Sequence, residues 1–193
     1  MKTGRLEAFS DGVLAIIITI MVLDMKIPEG TSFEDLKPTI PIFLTYTLSY
    51  IHLAMYWNNH HHLLQAATKV NGVILWANLN LLFWLSLFPF VTSWMGKNHL
   101  ERTPIILYGI VLFMAALAFK ILVLCLVKNE GEHSTIAKIY NNDQKSNITL
   151  LSYIIGIVIS IFHPITSLIL YLCMALIWIK PDPRIEKVLK ELE

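Results

Sequence analysis

Residues 5–24 read RLEAFSDGVLAIIITIMVLD, and this stretch decides the fold class. From Gly12 to Leu23 every side chain but that of Thr19 is apolar or absent. A helix crossing a bilayer needs about 20 such residues at about 1.5 Å each. At 100° per residue, Gly12, Ile16, Thr19, Ile20, Leu23 and Ile27 fall along one stripe, which Phe9 and Arg5 extend toward the N-terminus. Asp11 and Ala15 fall on the opposite flank, with Ser10 to one side. One face thus offers branched apolar side chains and a single hydroxyl. Another offers a carboxylate, which is costly in lipid without a partner. Taken singly, Arg5 reads as a basic flank and Asp11 as a cap near the interface. An Arg, a Ser and an Asp within seven residues instead favour a polar network buried between helices.

The rest of the chain is of the same kind. Of 193 residues, 55% are hydrophobic and 15% charged, and mean hydropathy is +0.60. Soluble domains are about 25% charged, so lipid is the natural solvent for this chain. A net charge of +1 argues against a nucleic-acid partner. Cys125 and Cys173 sit in apolar runs and suggest no disulfide framework. The basic start followed by an apolar run is signal-peptide-like, but Asp11 interrupts it and no small-x-small cleavage site precedes Asp24.

Six apolar segments can be drawn, at about 5–27, 40–60, 72–95, 104–127, 147–163 and 165–179. The last two are short. As one helix they would measure about 50 Å, against a hydrocarbon core of about 30 Å. A helical hairpin turning at His163-Pro164 fits better, because proline restricts the residue before it. Pro89 predicts a kink in the third segment. With six crossings and the N-terminus inside, ten Lys and Arg fall on the inner side and four on the outer, with Lys120 within a span and able to snorkel. The expected architecture is an all-α, multi-pass membrane protein with both termini cytoplasmic. Residues 1–180 form one six-span unit and 181–193 a short amphipathic cytoplasmic tail, in which Ile185, Val188, Leu189 and Leu192 share a face.

His60, His61 and His62 end the second segment. Adjacent imidazoles on a helix point about 100° apart, unlike the i, i+4 pairs of helical zinc sites, so no metal is expected. One His or Asn from this end is expected to turn toward Asp11, which lies at similar depth. Asn78 and Asn80 in the third segment are candidates for interhelical hydrogen bonding. Asn147-Ile-Thr149 matches a glycosylation sequon, but the topology places it inside. The chain has no P-loop, no H-E-x-x-H, no G-x-S-x-G and no T-V-G-Y-G filter.

The run Arg5-x-x-x-Phe9-Ser10-Asp11-x-x-x-Ala15 resembles the signature of the transmembrane protein 175 potassium channels, complete at its five positions. Trp57 with the histidines that follow, and Asn80 followed by Ser86, Pro89-Phe90 and Thr92, are similar to features of that family's second and third spans. The resemblance implies a potassium-selective, leak-like channel and not an enzyme, with K+ as the permeant ion and no cofactor. A single-repeat chain resembles the prokaryotic members, which implies a homotetramer in the cell membrane with the first helix lining the pore. By register Ile16 matches the principal constriction, with Thr19, Ile20 and Leu23 lining the next turns outward. Arg5, Phe9, Ser10, Asp11, Ala15, Trp57, His61 and Asn80 are expected in a structural network that binds neighbouring helices. The competing reading from the residues is a proton-coupled secondary transporter that titrates Asp11. The lack of an internal repeat or a Gly/Pro-broken helix pair argues against it.

Overall fold

The structure is a computed structural model, and it describes residues 3–131, 133–140 and 144–179. The expected tail and the basic residues Lys2, Lys180, Arg184, Lys187 and Lys190 lie outside these. The described residues are helical throughout, with no strand among them. In chain order they form α1 (Gly4–Leu23), a 3-10 helix (Phe33–Thr39), α2 (Ile40–Ala66), α3 (Gly72–Ser86), α4 (Phe88–Lys97), α5 (Arg102–Glu130), α6 (Thr135–Tyr140), α7 (Gln144–Ser160) and α8 (Pro164–Ile179).

Local chemistry sets the breaks. In the α1–α2 connection the Asp35 carboxylate accepts from the Ser32 amide at 2.9 Å and its hydroxyl at 2.6 Å, closing a capping box before the 3-10 helix. Asn71 caps α3 by accepting from the Ile74 amide at 3.0 Å. The third apolar segment is two helices that meet at Leu87. Pro89 has no N–H to give the Leu85 carbonyl, so the ladder breaks there as its sequence position predicts. α5 stops at Gly131, whose φ of +94° suits glycine. α2 runs six residues beyond its expected end at His60, so all three adjacent histidines are helical. The 3-10 helix and α6 lie in stretches that read as plain connections. Ile136, Ala137 and Ile139 of α6 are buried, which is what fixes it.

α1, the α3–α4 pair and α5 are long and apolar enough to cross a membrane by length and composition. α8 is a shorter apolar helix. α2, at 27 residues, is long enough but carries Asn58, Asn59 and the three histidines. α5 lies at the centre, packed against α3, α4, α6, α7 and α8, while α1 lies against α2, α3 and α4. Tyr108, Leu112, Ala115, Leu122 and Leu126 of α5 are fully enclosed.

The distribution of polarity is the reverse of a soluble domain's. Ser10, Ser49, His52, Asn78, Ser160 and Ser167 are fully buried, while Ile148, Leu151, Ile155, Val158, Ile165 and Ile169 line the exterior. Polar groups turned inward and aliphatic groups turned outward are stable only against an apolar solvent.

α7 and α8 run antiparallel. Near their turn the Ser167 hydroxyl donates to the Gly156 carbonyl at 2.8 Å, and at the far ends the Trp178 indole donates to Thr149 at 2.8 Å. Lys120 of α5 hydrogen-bonds the Asn147 side chain on α7, where reaching for the interface was expected. The end of the molecule that holds the N-terminus of α1 is here called the lower end. There Glu130 of α5 accepts from the Thr68 amide at 2.8 Å and the Lys69 amide at 3.0 Å, and so ties down the α2–α3 connection.

Tyr171 of α8 is seated between two glycines. A Cβ on Gly109 would lie 2.1 Å from its hydroxyl oxygen, and one on Gly156 would lie 2.3 Å from its ring. The ring is blocked on both sides, so it has nowhere to retreat. Gly109→Ala is therefore expected to destabilise the protein by about 1–3 kcal/mol, the usual cost of overpacking. Tyr171→Phe, which removes the clashing oxygen, should recover part of the loss. Thermal unfolding in detergent measures both, and an unchanged midpoint in Gly109→Ala would refute the wedge.

Candidate functional site

α1 has two unlike sides. Leu6, Ser10, Leu14, Ile17 and Met21 are buried against α2, α3 and α4. Their spacing of three or four residues is one face of a helix. Phe9, Gly12, Ile16, Thr19, Ile20 and Leu23 lie on the other side and are exposed among the described residues; Ile16 is 58% exposed and Leu23 80%. The stripe drawn from periodicity is thus the side of α1 that its own chain leaves free. Within it, the Thr19 hydroxyl donates back to its own helix, with Ala15 O at 3.0 Å and Ile16 O at 2.9 Å. Its proton is committed locally, and its oxygen lone pairs remain available outward.

The packed side is held by a directional chain of hydrogen bonds. His60 Nε2 donates to Asn78 Oδ1 at 2.7 Å, Asn78 Nδ2 donates to Ser10 Oγ at 2.9 Å, and Ser10 Oγ donates to the Leu6 carbonyl at 2.8 Å. Ser10 and Asn78 are fully buried and His60 nearly so. Beside this chain, the Trp57 indole donates to Asp11 Oδ1 at 3.0 Å. His61 Nδ1 meets Glu7 Oε1 at 2.8 Å. The partner that α2 turns toward Asp11 is therefore Trp57, while His60 and His61 reach α3 and the foot of α1.

Arg5, Phe9 and Ala15 are exposed, and Arg5 makes no ion pair or hydrogen bond among the described residues. Asn80 is half-buried and takes no part in the chain of bonds; the asparagine that α3 supplies is Asn78. Positions two apart on a helix differ by about 200°, so only the rotation of α3 chooses between them.

The upper end of α1 has ties that the sequence reading missed. Asp24, just past Leu23, pairs with Lys97 of α4 at 3.1 Å. Behind α1, Ser49 and Thr92 share a hydrogen bond of 2.7 Å, and Ser49 donates to the Tyr108 hydroxyl at 3.2 Å. The Thr92 hydroxyl also lies 3.9 Å from the Met21 sulfur. A charge ending each apolar run, Asp24 for the first and Lys97 for the third, was the available signal for the ion pair.

A family model described as the endosomal/lysosomal potassium channel TMEM175 matches residues 5–89, which include both sides of α1 and all its partners on α2 and α3. A protein of Chryseobacterium sp. (strain P1-3), named a potassium channel, is 53% identical over 191 residues, covering 99% of this chain and all of that one. The chain belongs to the TMEM175 family. Its fold is that of a crystallised TMEM175 homologue from Chamaesiphon minutus, described as a lysosomal potassium-selective channel. The TM-score is 0.75, with 23% identity, over 91% of this chain and 95% of that one. Animal TMEM175 proteins are named endosomal/lysosomal proton channels. The chicken protein is 28% identical over 133 residues, 61% of this chain and 26% of that protein, so the matched stretch is about a quarter of it. The relatives that this TMEM175 protein matches are named as channels, and its own apolar helices make it a multi-pass membrane protein.

Asn78 bridges two buried groups, and losing it strands the His60 N–H and removes the bond that Ser10 Oγ accepts. Asn78→Leu is expected to cost about 1–3 kcal/mol for the unsatisfied His60 donor, and Asn80→Leu much less. Thermal melting of the two variants compares them; equal losses would contradict the assignment of Asn78 as the bridge.

Proposed function

We propose that this TMEM175 protein is a subunit of a homotetrameric, leak-like potassium channel whose pore is lined by α1. The observation that carries the reading is the free stripe of α1, opposite a flank tied by hydrogen bonds to α2 and α3. A long, continuous apolar stripe on the one helix that bears the family signature suits the axis of an oligomer. Six crossings, with α7 and α8 as the last two, and cytoplasmic termini follow from the charge bias. The cell membrane is the expected location.

In this reading four copies of Ile16, Ile20 and Leu23 form narrow apolar rings around the axis. A neck of that kind stops ions by excluding water, and a small rotation or dilation of the helices wets it. Potassium sheds hydration water more readily than sodium, so a tight, weakly polar neck favours it modestly. Thr19, with lone pairs turned outward, replaces part of the lost water. The ties of Ser10 and Asp11 hold the helix in register while its other face bears the ion path. The channel needs no cofactor.

Purified protein in liposomes is expected to conduct K+ in preference to Na+. Ile16→Asn should wet the neck and reduce that preference severalfold, read as a shift in reversal potential under bi-ionic conditions. A variant with unaltered conductance and selectivity would remove Ile16 from the pore. The second reading, proton-coupled transport through Asp11, draws on the partly exposed carboxylate at membrane depth and on the naming of the animal relatives. It predicts saturable flux that loses its proton dependence in Asp11→Asn.

A further inference from the structure

At the lower end, α1 and α2 meet through two rungs one helical turn apart. Asp11 and Trp57 make the upper rung, at 3.0 Å, and Glu7 and His61 the lower, at 2.8 Å. Both pairs are i, i+4 along their own helices, so the rungs lie one above the other. The His61 ring stacks on the Trp57 indole, with centroids 6.1 Å apart and planes 18° from parallel, and this fixes its orientation. The side chains of His61 and Glu7 are 35% and 23% exposed. Each is partly withdrawn from water yet open to proton exchange.

A carboxylate accepts and does not donate, so His61 Nδ1 carries a proton whether the ring is neutral or cationic. Protonating Nε2 leaves the bond in place and sets a full positive charge against Glu7, which strengthens it. Among the described residues, these charged and titratable groups lie near His61 on the helices packed there. α1 presents Glu7, Asp11 one turn on, and the exposed Arg5 two residues before Glu7. α2 presents His60 and His62, the latter with its ring centroid 5.6 Å away. From α3 comes only the neutral amide of Asn78, which engages His60. The charged group in direct contact with His61 is Glu7. Glu7 falls between the signature positions Arg5 and Phe9 and is not one of them, so the carboxylate of this rung is separate from the signature.

We propose that Glu7 and His61 are positioning residues that form a proton-dependent clasp on the lower end of α1, so that acid on that side of the membrane holds the helix and lowers K+ conduction. The proposal rests on the reading of α1 as the pore helix. The free stripe begins at Phe9 and Gly12, within two turns of the clasp, and dilating the neck at Ile16 requires α1 to turn or tilt about this end. Acid tightens the lower rung and resists that movement. Without that added proton the rung is a neutral-donor hydrogen bond to the carboxylate.

The test is K+ current through the protein in planar bilayers, with pH set independently on the two faces. Lowering pH from 8 to 5.5 on the face bearing the N-terminus of α1 is expected to reduce conductance about two- to fivefold, the range for a partly exposed charge-assisted contact. The other face should give no matching response. Glu7→Gln keeps an acceptor oxygen without the charge and should abolish the response, leaving conductance high. His61→Arg fixes a cation and should hold conductance low at both pH values. His62→Asn should keep the native response. A wild-type channel without the one-sided response overturns the clasp whatever the variants do. So does a response that survives Glu7→Gln, or one lost in His62→Asn. Ile16→Asn, recorded alongside, separates the two ideas. Unaltered selectivity there overturns the pore reading itself. Altered selectivity, with a native pH response in Glu7→Gln, overturns only the clasp.

Discussion

The hydrogen-bond chain from His60 through Asn78 and Ser10 to the Leu6 carbonyl is the constraint on which the arrangement of α1 depends. In lipid, apolar packing alone discriminates weakly between rotations of a helix, because the solvent is as apolar as the side chains. A buried polar chain does discriminate. Turning α1 by one residue would carry Ser10 about 100° away and strand the Asn78 amide in a medium with nothing else to offer it. The same rotation fixes where Ile16, Thr19, Ile20 and Leu23 point, although none of them takes part in the chain of bonds.

The two ends of α1 are held by different physics. At the lower end the bonds to Asp11 and Glu7 come from α2, and the Asn78 bond comes from α3, so one turn of α1 is tied to two helices. At the upper end the tie is the half-exposed ion pair of Asp24 and Lys97, a kind of contact that contributes about 0–1 kcal/mol and weakens with salt. Between them, the Met21 flank rests on Thr92, which shares a hydrogen bond with Ser49. A helix anchored firmly at one end and loosely at the other is suited to tilting about the firm end.

The remaining helices form the wall against which α1 is set. α5 fills the centre with fully enclosed Leu, Ala and Tyr side chains, and Tyr171 locks α8 to α5 and α7 through the two glycines. The lower end is closed by Glu130, which gathers the backbone of the α2–α3 connection onto α5. Each of these contacts satisfies a polar group or fills a gap that lipid could not.

Much of this was legible in the chain itself. Periodicity alone separated the free stripe of α1 from the flank that bears Asp11, because a 3.6-residue repeat fixes which side chains share a face whatever surrounds the helix. Pro89 announced the break between α3 and α4, because a missing N–H is a local property. The signature from Arg5 to Ala15 carried the family. The choice of Asn78 over Asn80, the turning of Trp57 toward Asp11 and of His61 toward Glu7, the extension of α2 through its histidines and the burial of α6 were not legible. Each depends on how one helix is rotated and placed against another, which is set by the sum of contacts from distant parts of the chain. The sequence by itself determined which faces exist; only the tertiary structure decided which face meets which partner.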